Sequence, residues 1–178
     1  MYKKYLNLHV WQCQTTIRNL NKTHMSNIAL KQVYFEGITM QVPEIWETET
    51  EVFDEADGTK SYSLSINATG KDVRSIDISW GSIPEESDAY NEACATYEEV
   101  MSEEDLSTEE EPIICFEFQG HKAYGFNVYT EDGLPCFFFC IDIPAEGKKN
   151  LLTVLISAAN HEELQSLIDF TEEYLKVE

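Results

Sequence analysis

The sequence predicts an α+β domain: a mostly antiparallel β-sheet with one helix in mid-chain and one at the carboxyl end, in the order β-β-β-β-α-β-β-β-β-α. Three observations carry this prediction. Apolar residues alternate with polar ones in short runs between Val33 and Trp80, the period-2 pattern of half-buried strands. Beyond Pro84 the apolar period changes to three and four residues, which marks a helix. The same succession, strands and then a helix, recurs from Ile113 onward, and its short turn signals favour antiparallel pairing.

Phe35, Ile38, Met40 and Val42 mark a first strand that runs through Gly37 and stops at Pro43. Pro43-Glu44-Ile45-Trp46 reads as a turn with an apolar anchor. Glu49 to Phe53 is a second strand, closed by the hairpin loop Asp54-Glu55-Ala56-Asp57-Gly58. Tyr62, Leu64 and Ile66 alternate with Ser63, Ser65 and Asn67 in a third. Ile76, Ile78 and Trp80 form a fourth. Ser87 or Asp88 then caps a helix whose apolar stripe is Tyr90, Ala93, Cys94, Tyr97, Val100 and Met101. Its other face is acidic, and it fades into the charged loop Ser107 to Pro112.

Strands follow over Ile113–Phe118, Ala123–Tyr129, Cys136–Ile143 and Leu151–Ser157. Asn160 caps the last helix, with Glu162 and Glu163 in its positive first turn and Leu164, Leu167 and Ile168 on its inner face. Cys136 to Ile141 is apolar at every position, so both faces of that strand require cover. The expected core is continuous and contains Trp46, Tyr97, Phe116, Phe118, Phe126, Phe137, Phe139, Leu164, Leu167 and Ile168.

Composition bounds the rest. The 178 residues are 43% apolar and 12% aromatic, enough for one packed domain and too many for a disordered chain. No apolar run approaches the roughly 20 residues needed to cross a bilayer, so no membrane contact is expected. Five cysteines, Cys13, Cys94, Cys115, Cys136 and Cys140, form no CxxC pair. Cys136 and Cys140 share a strand face about 13 Å apart, beyond disulfide reach. Free thiols in a reducing, cytoplasmic compartment are the expectation.

Residues 1–24 hold Lys3, Lys4, Arg18 and Lys22 and no acid, whereas the remaining residues hold all 33 acids. Leu6 to Trp11 is interrupted by Asn7 and His9 and makes no secretory h-region. The segment reads as a transit-like stretch, a basic arm, or an extension upstream of a start at Met25. Residues 1–30 are therefore expected to be a poorly packed arm before a single domain over 31–178.

The order of elements resembles the Mog1/PsbP-like fold. The residues that carry the resemblance are Val42-Pro43-Glu44-Ile45-Trp46 closing an early strand, and Phe118-Gln119-Gly120-His121-Lys122-Ala123-Tyr124 opening one after the mid-chain helix. The strand from Leu151 running into a helix at Asn160 matches as well. The resemblance covers residues 33 to 177 and is nearest to small bacterial members. It implies a non-enzymatic module; one branch of the family binds a small GTPase and another a photosystem. No binding residue carries over from either branch.

Catalytic motifs are missing: no GxSxG, HExxH, P-loop or GxGxxG occurs. A dispersed site would use His121 with Asp132 or Glu117. His161 reads as the exposed start of the last helix. The loop Asp54 to Gly58 departs from an EF-hand, with Ala56 at the third position, glycine one place early and Ser65 at the twelfth. No metal or cofactor is expected, and the chain is expected not to be an enzyme.

The remaining signal is charge. The net charge is −21, and Ser75 to His121 contains 14 acids without a lysine or arginine. This is either a solvated, solubilising face or a docking surface for a basic protein. As a docking surface it would use Glu85, Glu86, Asp88, Glu92, Glu98, Glu99, Glu103 and Glu104. A narrower form is an immunity- or inhibitor-like protein that fills a basic enzyme cleft. Nucleic acid is disfavoured because phosphate binding needs the opposite sign.

Overall fold

In a computed structural model the described residues are 29–102, 113–145 and 148–177. The proposed arm over residues 1–30 thus lies almost wholly outside them. Among the described residues there are ten strands and two helices: β1 Leu30–Phe35, β2 Ile38–Pro43, β3 Glu47–Asp54, β4 Lys60–Asn67, β5 Ser75–Ile83, α1 Ala89–Ser102, β6 Ile114–Phe118, β7 His121–Tyr129, β8 Pro135–Ala145, β9 Lys148–Ser157, α2 His161–Tyr174 and β10 Leu175–Val177. The predicted α+β class stands, with antiparallel sheets and helices in mid-chain and at the carboxyl end.

Within that class the first predicted strand is a hairpin. Glu36 and Gly37 both take positive φ, 45° and 87°, which is the geometry of a two-residue turn matching strand twist. A hairpin there lets β2 pair with β1 on one side and β10 on the other. Gln119 and Gly120 repeat the device at 51° and 83°, so the motif around them turns from β6 into β7.

The large sheet has the order β3-β4-β5-β9-β8-β7-β6, antiparallel throughout. The central pair β5 and β9 is distant in sequence, and α1 makes the crossing between β5 and the far edge at β6. On one face lie α2 and the three-stranded sheet β1-β2-β10. Their Ile38, Met40, Val42, Leu164 and Leu167 meet Leu64, Ile78, Phe137, Phe139 and Val154. On the other face α1 packs against β7 and β8, where Ala89 and Ala93 meet Cys140 and Leu151.

This layering corrects the expectation of one continuous core. Strand β8 alternates, sending Phe137 and Phe139 to the α2 side and Cys136, Phe138 and Cys140 to the α1 side. Phe126, fully buried, meets Phe138 and the Tyr97 ring of α1, so both belong with the α1 side. Tyr97 and Phe116 are half-buried rather than enclosed. Trp46 is buried at the entry to β3, with the Arg74 guanidinium 5.2 Å from its ring centre.

Caps fix the helix starts. Asp88 Oδ1 accepts from Asn91 N–H at 2.8 Å, and Asp142 of β8 accepts from Ala89 N–H at 3.0 Å. Sheet and loop thus share the capping of α1. Asn160 accepts from Glu163 N–H at 3.0 Å, as its position before the last helix predicts. At the other end of α2, the Gln119 amide donates to the carbonyls of Glu172 (2.7 Å) and Leu175.

Candidate acidic docking surface

The predicted acidic residues divide into several environments. Glu85 and Glu86 are exposed in the loop between β5 and α1, where Lys149 Nζ donates to the Glu85 and Ser87 carbonyls at 3.1 and 3.0 Å. Asp88 is half-buried and occupied as a cap. Glu98 and Glu99 are exposed at the end of α1. Glu103 and Glu104 lie outside the described residues. The described members of the set thus stand in different environments.

Helix geometry orients α1. Tyr90 and Tyr97 lean on Tyr124 and Phe126 of β7, with ring centres 5.4 and 5.2 Å apart. At about 100° per residue, Glu92 and Glu99 fall on the opposite flank of the helix. Glu92 is close enough to Cys140 that, after burial, its charge adds to a rise of the thiol pKa to about 12. The last turn of α1 holds no basic residue, so Glu98 and Glu99 add to the negative end of the helix dipole.

Sequence reasoning missed a second row of carboxylates. On the α1 side of the sheet, Glu47, Glu49 and Glu51 of β3 stand opposite Asn67, Ser65 and Ser63 of β4. Ser75, Asp77 and Ser79 of β5 continue the same rows. Glu49, Ser65, Asp77 and Leu155 form one such row across four strands. The signal was legible in Glu47-Thr48-Glu49-Thr50-Glu51, an alternation that puts three acids on one face. It was eclipsed by the denser run around α1.

Other candidates resolve plainly. His121 opens β7 and Asp132 lies beyond its far end, about 26 Å away along the strand. His121 stands opposite Phe118, and Glu117 opposite Lys122. The pairing of His121 with Asp132 is therefore not available. His161 is exposed and meets Tyr129 Oη at 3.2 Å. The loop Asp54 to Gly58 is a hairpin tip in which Asp57 Oδ1 accepts from Thr59 N–H and Oγ1 at 2.8 and 2.6 Å. Among the described residues no cluster of three or more His, Cys, Asp or Glu is arranged to hold a metal ion. Among them, too, no helix is long and apolar enough to cross a membrane. Cys94, Cys115, Cys136 and Cys140 carry free thiols.

Among the described residues, open grooves border the sheet at two places. One, about 670 Å³, is lined by Lys31, Trp46, Glu47, Glu49 and Asn67 beside the start of β3. The other, about 300 Å³, is bordered by Glu36, Lys60, Tyr62, Trp80 and Asn150. Lys31 Nζ is engaged by the Trp46 carbonyl at 2.5 Å. A scan against protein-family models and a search of curated proteins returned no match.

Proposed function

We propose that this chain is a non-enzymatic protein-interaction module of Mog1/PsbP-like type whose acidic surface docks a basic protein in a reducing, cytoplasmic setting. The observation that carries the reading is the charge of α1. Its exposed end places Glu98 and Glu99 at the negative pole of the helix dipole without a basic residue in the last turn. An isolated helix is destabilised by that arrangement, and a cationic partner reverses the sign of the effect. Glu85 and Glu86 extend the field beyond the other end of the helix, and a net charge of −21 supplies long-range steering.

The family type is supported by the succession of strands, mid-chain helix, strands and final helix. The setting is supported by four free thiols, two of them buried. A narrower version is an immunity- or inhibitor-like protein that fills a basic enzyme cleft, and the same charge supports it.

The test is capture of partners from lysate by the immobilised protein at about 50 mM and about 500 mM salt, across which exposed ion pairs are screened. A partner lost at high salt, and lost from a Glu98→Gln, Glu99→Gln variant, bears the reading out. Capture indifferent to both changes refutes it.

A further inference from the structure

The large sheet ends at β3, and all eight residues of that strand are exposed. Among the described residues no strand pairs with its outer side. Which backbone groups point outward follows from the turn. Glu55 N–H reaches the Thr59 carbonyl at 2.9 Å, so Glu55 and Thr59 are a hydrogen-bonded pair. Bonded and non-bonded pairs alternate along an antiparallel ladder. Phe53, Glu51, Glu49 and Glu47 therefore bond inward to β4. Thr48, Thr50, Val52 and Asp54 present their N–H and C=O groups to the open edge.

Such an edge is a template for an added strand. Its side chains specify which strand. A second copy of β3, added antiparallel, would pair Thr48, Thr50 and Val52 among themselves through backbone bonds. By the same parity it would set Glu47, Glu49 and Glu51 directly against one another. Like charges in opposed positions oppose that pairing. A strand with lysine or arginine at every second position meets the three glutamates instead, at non-bonded positions where opposed side chains lie closest. On the other face, Thr48, Thr50 and Val52 suit β-branched residues. The groove beside Trp46, Glu47 and Glu49 adjoins one end of the edge and has room for a terminal side chain of the partner.

We infer that β3 is the docking edge for an extended cationic segment of a partner protein, with Lys or Arg at alternate positions facing Glu47, Glu49 and Glu51. The inference rests on the basic-partner reading and adds to it a second surface, a conformation and a residue pattern.

The probe is a synthetic peptide of about eight residues alternating lysine with valine or threonine. A control of equal charge is N-methylated at the amides that would bond β3. Binding of both is measured to the whole protein, with amide exchange followed by NMR. The expected result is slowed exchange at Thr48, Thr50 and Val52 on addition of the first peptide, and at least tenfold weaker binding of the N-methylated one. Glu47→Gln, Glu49→Gln, Glu51→Gln together should weaken the first peptide about eightfold, since each opposed pair contributes roughly a factor of two.

Equal binding of the two peptides overturns strand addition and leaves general acidic attraction in place. Affinity that responds to Glu98→Gln, Glu99→Gln and not to the β3 variant also overturns it, while supporting docking at α1. Failure of both peptides to bind at low salt removes the strand inference and the basic-partner reading together. Slow exchange at Thr48, Thr50 and Val52 in the protein alone would show the edge already covered, by a second copy or by the chain itself, and would equally overturn the inference.

Discussion

Truncating two adjacent phenylalanines separates the two sides of the sheet. Phe139 is 0% exposed and sits among Phe116, Phe118 and Phe137, with ring centres 5.5, 5.0 and 5.7 Å away. Phe138 points the other way, is half-buried, and meets Phe126 at 5.2 Å. A buried phenylalanine ring removes on the order of 150–250 Å² from water, or about 4–6 kcal/mol at about 25 cal/mol per Å². The Cβ that remains in alanine, and partial collapse of the site, bring Phe139→Ala to about 4 kcal/mol. Phe138→Ala forfeits roughly half as much area and has one ring neighbour in place of three, so about 2 kcal/mol is expected. In urea melts followed by circular dichroism, a slope of about 2 kcal/mol per M turns these into midpoint shifts of about 2 M and 1 M. Equal shifts for the two variants would refute the assignment of these rings to opposite faces. An unchanged midpoint for Phe139→Ala would refute β8 as a core strand.

Three further outcomes follow from the described contacts. Removing either cap of α1, with Asp88→Ala or Asp142→Ala, should cost about 1 kcal/mol each, and amide exchange in the first turn of α1 should accelerate in both. The Asp72 carboxyl is held below its ordinary value of 3.8 chiefly by the Arg74 side chain hydrogen-bonded to it. Its folded pKa is the lower one, so its contribution is complete above about pH 4 and is lost as pH falls through the folded value. Melts of Asp72→Asn should therefore differ from the parent by a constant amount from pH 5 to 7 and converge with it in acid; a gap that widens in acid would reverse the sign. Burial, then Glu92 and Asp142, push the Cys140 thiol up to about 12, which leaves it protonated and unreactive at pH 8. Among the described thiols, native alkylation read by mass spectrometry should label exposed Cys115 first and Cys140 only after unfolding.

Local chemistry determined much of this fold from the sequence alone. Periods of two and of three to four residues gave both helices and most strands, because a side chain's face is set by its own backbone geometry. Asp88 and Asn160 were readable as caps because a cap acts within three residues of itself. The hairpin at Glu36-Gly37 was hidden because Phe35 and Ile38 flank it closely enough to read as one run, although the alternation shifts by one residue there, and the positive φ of both turn residues marks the reversal. The last three residues of the described chain form β10 only because β2 offers them an edge.

Tertiary structure decided what depends on partners distant in sequence. The pairing of β5 with β9 joins residues 66 to 82 positions apart and makes the sheet one body. It also puts α1 and α2 on opposite faces and so splits the predicted core in two. Asp142 became a cap for α1 through a fold contact that no local pattern announces. The acids around α1 were visible as a run, because charge density is a property of sequence. Whether they share a surface is a property of packing, which set Glu92 near Cys140 of β8, while the local cap occupies Asp88. The carboxylate row of β3 gained its meaning from topology. Three alternating glutamates are a common surface pattern until the strand that carries them ends a sheet and leaves half its backbone groups unpaired among the described residues.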